Sequence, residues 1–341
     1  MSRPFFAARL EDNLNRRLEQ RARERSWTEE IVPYVGYGSH RFIRVLARVV
    51  LTPSADAPDP IFDVGLLAQR GWRNFITRPA LTARVLVQVA GEEFEVWTDR
   101  GGHIDARLPV RGLEPGWTQV ELVCGDAVVE APIQVIDPDQ EFGLVSDIDD
   151  TIISTSLPRP LLAFWNTFVL QESARQAVPG MAQMYRKLLA DHPKAPIIYV
   201  STGAWNTAST LNRFLHHHQY PRGPMLLTDW GPTNSGWFRS GQEHKKTCLR
   251  DLAIDFPRIK WILIGDDGQH DPSLYGEFAE AHPDRVSVIG LRQLSPGEQV
   301  LAHGTLGSLE SRNGPSEVPA VRAPDGFGLL PRVQRALRER V

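Results

Sequence analysis

Hydrophobic and polar residues change their period twice along this chain of 341 residues, and the changes divide it. Through the first 30 residues, Leu10, Leu14 and Leu18 recur at helical spacing among arginines and acids, which predicts a polar helix docked by a narrow apolar stripe. From about residue 40 the period becomes two. ARVLVQVAGEEFEVWTD, 83–99, reads as strand, Gly-containing turn and strand, with Val85, Val87 and Val89 on one face. TQVELVCGDAVVEAPIQVI, 118–136, repeats the pattern around Gly125 and Asp126. With FIRVLARVVL, 42–51, these runs predict an antiparallel, β-sandwich-like domain ending near 137.

After residue 140 short apolar runs at 142–146, 197–201, 225–227, 261–264 and 286–289 alternate with helical stretches. That alternation predicts a parallel sheet with helices on both faces. Pro179 and Gly180 open one helix, and Pro193 follows its end. Beyond about 295 the composition turns to Gly, Pro, Ser and Glu, ahead of an Arg-rich end, LLPRVQRALRERV, expected to be poorly ordered. The expected division is a helical segment at 1–35, the β domain at 36–138, the α/β domain at 139–295, and a linker with a tail at 296–341.

The composition is that of a soluble, globular protein. A net charge of −3 exerts no global pull toward nucleic acid. Cys124 and Cys248 are the only cysteines, too few for a disulfide framework or a thiolate zinc site, which fits a reducing, cytoplasmic setting. The N-terminus lacks the apolar core of a signal peptide, and no run approaches the roughly 20 apolar residues that span a bilayer. Any membrane contact is therefore expected to be peripheral.

In an open parallel sheet, chemistry gathers at the carboxyl ends of the strands. The first such strand, in GLVSDIDDTII, ends in Asp147 and Asp149, two apart and able to face one cleft. The second, APIIYVSTG, ends in Ser201 and Thr202. KWILIGDDGQHD ends in Asp266 and Asp267, with Asp271 one turn on. Before it, EHKKTCLRDLAIDF is a helix whose inward face holds Leu249, Leu252, Ala253 and Phe256. At 100° per residue Lys245 lies about 30° from the centre of that face and Lys246 about 70°, so Lys245 is expected to reach the sheet. Carboxylates crowded in this way repel one another and resist ionising together unless a cation or a reaction accounts for them.

An aspartate pair, a hydroxyl, a lysine and a second acidic cluster, in that order, resemble the four motifs of the haloacid dehalogenase superfamily. The first motif, DxDxT, is here Asp147, Asp149 and Thr151. SDIDDTI, YVSTGAWN, WFRSGQEHKK and FPRIKWILIGDDGQHDPSLYGEFA are similar to the lipin-like, Mg2+-dependent phosphatidate phosphatases, in particular the actin-patch-associated catalytic-domain family. The resemblance covers about 140–292 and implies a Rossmann-like haloacid dehalogenase domain behind the β-sandwich-like one. It departs from the family at Asp150, where many members have Gly; a carboxylate there would either reshape the turn or add to a metal shell.

The resemblance implies Asp147 as nucleophile, forming an aspartyl-phosphate, and Asp149 as general acid. It implies Ser201, Thr202 and Lys245 around the phosphate. Several carboxylates receiving a phosphate dianion require a divalent cation, and all-oxygen donors suit Mg2+. The expected ligands are Asp147, the backbone carbonyl of Asp149, and Asp266, with Thr151, Asp267 and Asp271 as secondary candidates. His216, His217 and His218 are consecutive, diverge on a helix, and read as solvated residues at a helix end. His270 reads as a loop residue or a substrate contact. The run LLAFWNTFVL, 161–170, and Trp237 with Phe238 read either as packed segments or as an apolar wall for acyl chains. The expected activity is a peripheral phosphatidate phosphatase. The alternatives are a phosphatase of a soluble phosphomonoester or phosphoprotein, and an inactive binding or adaptor module; no nucleic acid partner is expected, and protein partners are left open.

Overall fold

The structure, a computed structural model, describes residues 17, 19–53, 78–155, 175–228, 241–268, 270–303 and 317–340. Leu10, Leu14, Leu18, the run 161–170, Trp237 and Phe238 lie outside the described residues. The described residues divide into two compact units, one ending at Asp137 and the other beginning at Pro138.

The first unit is a nine-stranded, largely antiparallel sheet. Its strands are β1 (Thr28–Pro33), β2 (Gly36–Ser39), β3 (Phe42–Thr52), β4 (Arg78–Pro79), β5 (Arg84–Val89), β6 (Glu92–Trp97), β7 (His103–Pro109), β8 (Gly116–Cys124) and β9 (Ala127–Val135). β3 pairs with β1, β2, β4 and β7, which its 11 residues make possible. The single parallel pairing within it joins β2 to β9. Alternation drives this unit: Val85, Val87 and Val89 of β5, Val120, Leu122 and Cys124 of β8, and Ala131, Ile133 and Val135 of β9 all enter one apolar cluster. Residues 17 and 19–24 are helical, but β1 replaces the later part of the helical segment expected over 1–35. Residues 28–33 pair antiparallel with β3, because Ile31 is drawn into the same core.

The second unit is built on six parallel strands in the order β14-β13-β10-β15-β16-β17. They are β10 (Phe142–Asp147), β13 (Ile197–Ala204), β14 (Met225–Thr228), β15 (Lys260–Asp266), β16 (Val286–Arg292) and β17 (Ala320–Ala323). A separate antiparallel pair, β11 (Ile153–Thr155) and β12 (Arg175–Ala177), follows β10. The central strands are buried almost end to end, as expected where both faces are covered. The helices are α1 (Met181–Ala190), α2 (Ala208–His217), α3 (Gly241–Asp255), α4 (Asp271–Ala281), α5 (Pro296–His303) and α6 (Gly326–Glu339). In α1 the buried residues Met181, Met184, Tyr185 and Leu188 recur at helical spacing. Among the described residues no helix is long and apolar enough to cross a membrane.

The chain runs outward from β10 to β13 and β14, then returns to lay β15 on the other side of β10. The order therefore reverses between β10 and β15, and their carboxyl ends border the crevice where such sheets bind ligands.

The end of the chain corrects the expected linker and tail at 296–341. α5 occupies part of it, while β17 adds a sixth strand and α6 packs Leu329, Val333 and Ala336 inward. Asp325 caps α6 by accepting from the backbone N–H of Gly328 at 2.8 Å. The start of α6 presses on the start of α1: a Cβ at Gly326 would lie 2.3 Å from the carbonyl carbon of Gly180. The helical spacing of 329, 333 and 336 outweighs the exposed arginines between them, of which Arg332 donates to the carbonyl of Arg322 in β17.

Candidate active site

Pairing of β10 with β15 aligns Ser146 with Ile264, so that Asp147 and Asp266 leave adjacent strand ends side by side. On the other flank Asp147 aligns with Val200 of β13, which places Ser201 just beyond. Asp271 joins them from the first turn of α4. One carboxylate oxygen from each of Asp147, Asp266 and Asp271 lies within 4.8 Å of the others, and all three residues are buried. Gly265 permits this approach: a Cβ there would stand 2.5 Å from Asp271 Oδ2.

α3 buries Cys248, Leu249 and Leu252 and thereby turns Lys245 to the sheet. Its ammonium lies 2.6 Å from Asp147 Oδ1 and 2.7 Å from Asp271 Oδ1. Lys246, one residue on, pairs at the surface with Glu277. Thr151 donates to Asp147 Oδ2 at 3.0 Å, so both oxygens of Asp147 are engaged. Ser201 donates to Asp149 Oδ2 at 2.7 Å and accepts from the backbone N–H of Gly203. Thr202 follows on β13, and its carbonyl accepts from Thr228.

Burial dominates the electrostatics. It pushes Asp147 up to about 8, reinforced by Asp271 and Asp149 and opposed by Lys245. Asp266 is raised well above the carboxylate range by burial and by the charges of Asp271 and Asp147. For Lys245 burial acts downward, but Asp147 and Asp271 raise it well above its ordinary value. One ammonium cannot balance three buried carboxylates; a divalent cation added to it would. Asp271 Oδ2, buried and without a hydrogen-bond partner among the described residues, is a further donor of the right kind. The donor set is all oxygen and fits Mg2+.

Of the sequence-predicted residues, Asp147, Asp266, Asp271 and Lys245 come together, with Thr151 bonded to Asp147 and Asp149 bonded to Ser201. Asp267 does not join the cluster. Its Oδ1 accepts from the backbone N–H of Leu294 and ties down the loop after β16. His216 and His217 end α2, His218 caps it, and His270 precedes α4. Among the described residues no histidine belongs to a metal-ligating cluster.

Asp150 has φ 55, the left-handed conformation that Gly adopts freely and Asp tolerates better than most residues. Its position is therefore one that Gly would occupy without strain. Arg292 and Glu298 escaped the sequence reading. Arg292 ends β16 and would have surfaced had the strand-end question been put to the fifth strand.

Residues 142–293 match the family described as "Phosphatidate phosphatase APP1, catalytic domain". Phosphatidate phosphatase APP1 of Saccharomyces cerevisiae is 29% identical over 152 residues, 44% of this chain and 26% of that protein. An uncharacterized protein of Schizosaccharomyces pombe is 24% identical over 295 residues, 79% of this chain and 47% of its own length. The chain thus spans from about a quarter to about half of these curated relatives. Among solved structures, the HAD domain of effector protein Lem4 from Legionella pneumophila aligns over 47% of this chain and 89% of that one, with 14% identity and a TM-score of 0.32. By this family match, and by the order of its strand-end residues, the segment 142–293 is similar to the APP1 catalytic-domain family.

Proposed function

We propose that the second unit is a Mg2+-dependent phosphatase that releases phosphate from phosphatidate or a related lipid phosphate monoester. One observation carries the reading: Lys245 is ion-paired to both Asp147 and Asp271 beside Asp266, at the crevice where the strand order reverses. The choice of phosphatidate is supported by the matched family.

In this reading Asp147 attacks phosphorus in line, expelling the alcohol and forming an aspartyl-phosphate. Lys245 and Thr151 hold its two oxygens and set its angle of approach. Asp149, oriented by Ser201, protonates the departing oxygen and then takes a proton from the water that cleaves the acyl phosphate, which returns Asp147. In the same reading Lys245 and Thr202 serve the phosphoryl oxygens as they gather negative charge, and Ser201 joins them when its hydroxyl proton turns from Asp149 to the bound phosphate. Mg2+, held by Asp147, Asp266 and Asp271 with the backbone carbonyl of Asp149, would neutralise the phosphate as it meets the carboxylates. A diacyl substrate requires peripheral work at a membrane surface, here from the cytoplasmic side.

The test is phosphate release from phosphatidate in detergent micelles and from a soluble aryl phosphate, each with Mg2+ or chelator. Wild type is expected to act on phosphatidate only with Mg2+, and Asp147→Asn to lose about 1,000-fold or more while keeping its melting transition. Turnover of the soluble ester alone would remove the lipid, and a near-normal Asp147→Asn would remove the nucleophile.

A further inference from the structure

We propose that Arg292 is a positioning residue for this site, its guanidinium pinning the turn that carries Asp149 and Thr151. The inference rests on the phosphatase reading and adds to it a residue outside the carboxylate cluster. Arg292 is buried, with its side chain 7% exposed, and each of its three guanidinium nitrogens donates a hydrogen bond. Nη1 donates to the carbonyl of Asp150 at 2.7 Å, Nη2 to Glu298 Oε1 at 2.6 Å, and Nε to the carbonyl of Pro324 at 3.3 Å.

The Asp150 carbonyl lies between the proposed general acid and the threonine that holds the nucleophile. Asp150 is also the left-handed residue of the turn, which Ile152 and Ile153 close by donating to the carbonyl of Ile148. If that carbonyl swings, Asp149 turns away from Ser201 and Thr151 from Asp147, because both are its chain neighbours. Glu298 strengthens the pin. It accepts from Ser154 at 2.9 Å, just past the turn, and from the backbone N–H of Ser295 at 2.8 Å. The end of β16, the first turn of α5 and the start of β11 thus share one charged hydrogen-bond network. A guanidinium meets three acceptors at fixed angles, which an ammonium on a flexible stem cannot do.

The experiment compares wild type, Arg292→Lys, Asp150→Gly and the double variant, with Mg2+ and whichever of two esters wild type hydrolyses, phosphatidate in detergent micelles or a soluble aryl phosphate, alongside hydrogen exchange of the peptide 148–155. Arg292→Lys is expected to lower kcat about tenfold or more, with KM within about twofold. Exchange of the 148–155 peptide is expected to rise about fivefold. The kcat loss is expected to shrink in the Asp150→Gly background, because Gly holds the left-handed turn without help. Unchanged kcat, or the same fold-loss in both backgrounds, overturns the proposal. Should Arg292→Lys prevent folding, Glu298→Gln replaces it: a loss of about three- to tenfold supports the pin, and a change under about twofold overturns it. A wild type that hydrolyses neither ester overturns the phosphatase reading and the catalytic role of Arg292 together. An active wild type matched by Arg292→Lys overturns this inference alone.

Discussion

Asp147 is held at 2% exposure against an ammonium, a threonine hydroxyl and two other carboxylates, and its protonation reports on the fold. Its value in the folded protein, about 8, stands above the ordinary 3.8. The stabilising proton is therefore fully in place below about pH 4, and its contribution is lost as pH rises through about 8. With chelator present, the melting temperature is expected to fall across that window, and to fall less in Asp147→Asn, as scanning fluorimetry at a series of pH values would reveal. Asp150 illustrates a second balance: a left-handed residue costs about 1–2 kcal/mol, and a charged hydrogen bond to its carbonyl returns about 1.5–3 kcal/mol. Asp147, Asp149, Asp266 and Lys245 were legible because a strand end or a helical phase singles each out. Asp267 was not separable from Asp271 in sequence. One backbone N–H, that of Leu294, settles which of them turns away.

At the scale of elements, burial of one helical face decided what composition had misjudged. The arginines of α6 suggested a loose tail, yet Leu329, Val333 and Ala336 form a stripe that docks the helix. Leu329 is fully buried, so Leu329→Ala is expected to cost about 2–5 kcal/mol and to lower the melting temperature by several degrees. An unchanged transition would show that α6 does not contribute to the core. The same logic worked in advance for α3, where apolar spacing placed Lys245 inward and Lys246 outward. It failed at β1, where six residues were too few for their period of two to stand out beside a helix.

For the molecule as a whole, two units with separate cores allow a cation to act on one without the other. In the proposed reading, Mg2+ held by Asp147, Asp266 and Asp271 would stabilise the state that gathers them. Hydrogen exchange is therefore expected to slow in β10, β15 and α4 on adding Mg2+, while β5 and β8 of the first unit keep their rates. Equal protection of both units would argue against cation binding confined to the second.

The sequence by itself determined the kinds of element and most of the chemical inventory, because periodicity and strand-end placement are local properties that apolar burial must satisfy. It also marked Asp150 as a departure without saying what the residue does there. Only the tertiary structure decided that Asp271 rather than Asp267 completes the carboxylate cluster, that Asp150 occupies a left-handed turn, and that Arg292 grips it. Those outcomes depend on which distant backbone groups converge after the strands pair: Arg292 and Asp150 are joined by one hydrogen bond across 142 positions of chain. No local pattern encodes a contact of that separation, since its energy exists only once β10, β15 and β16 lie side by side.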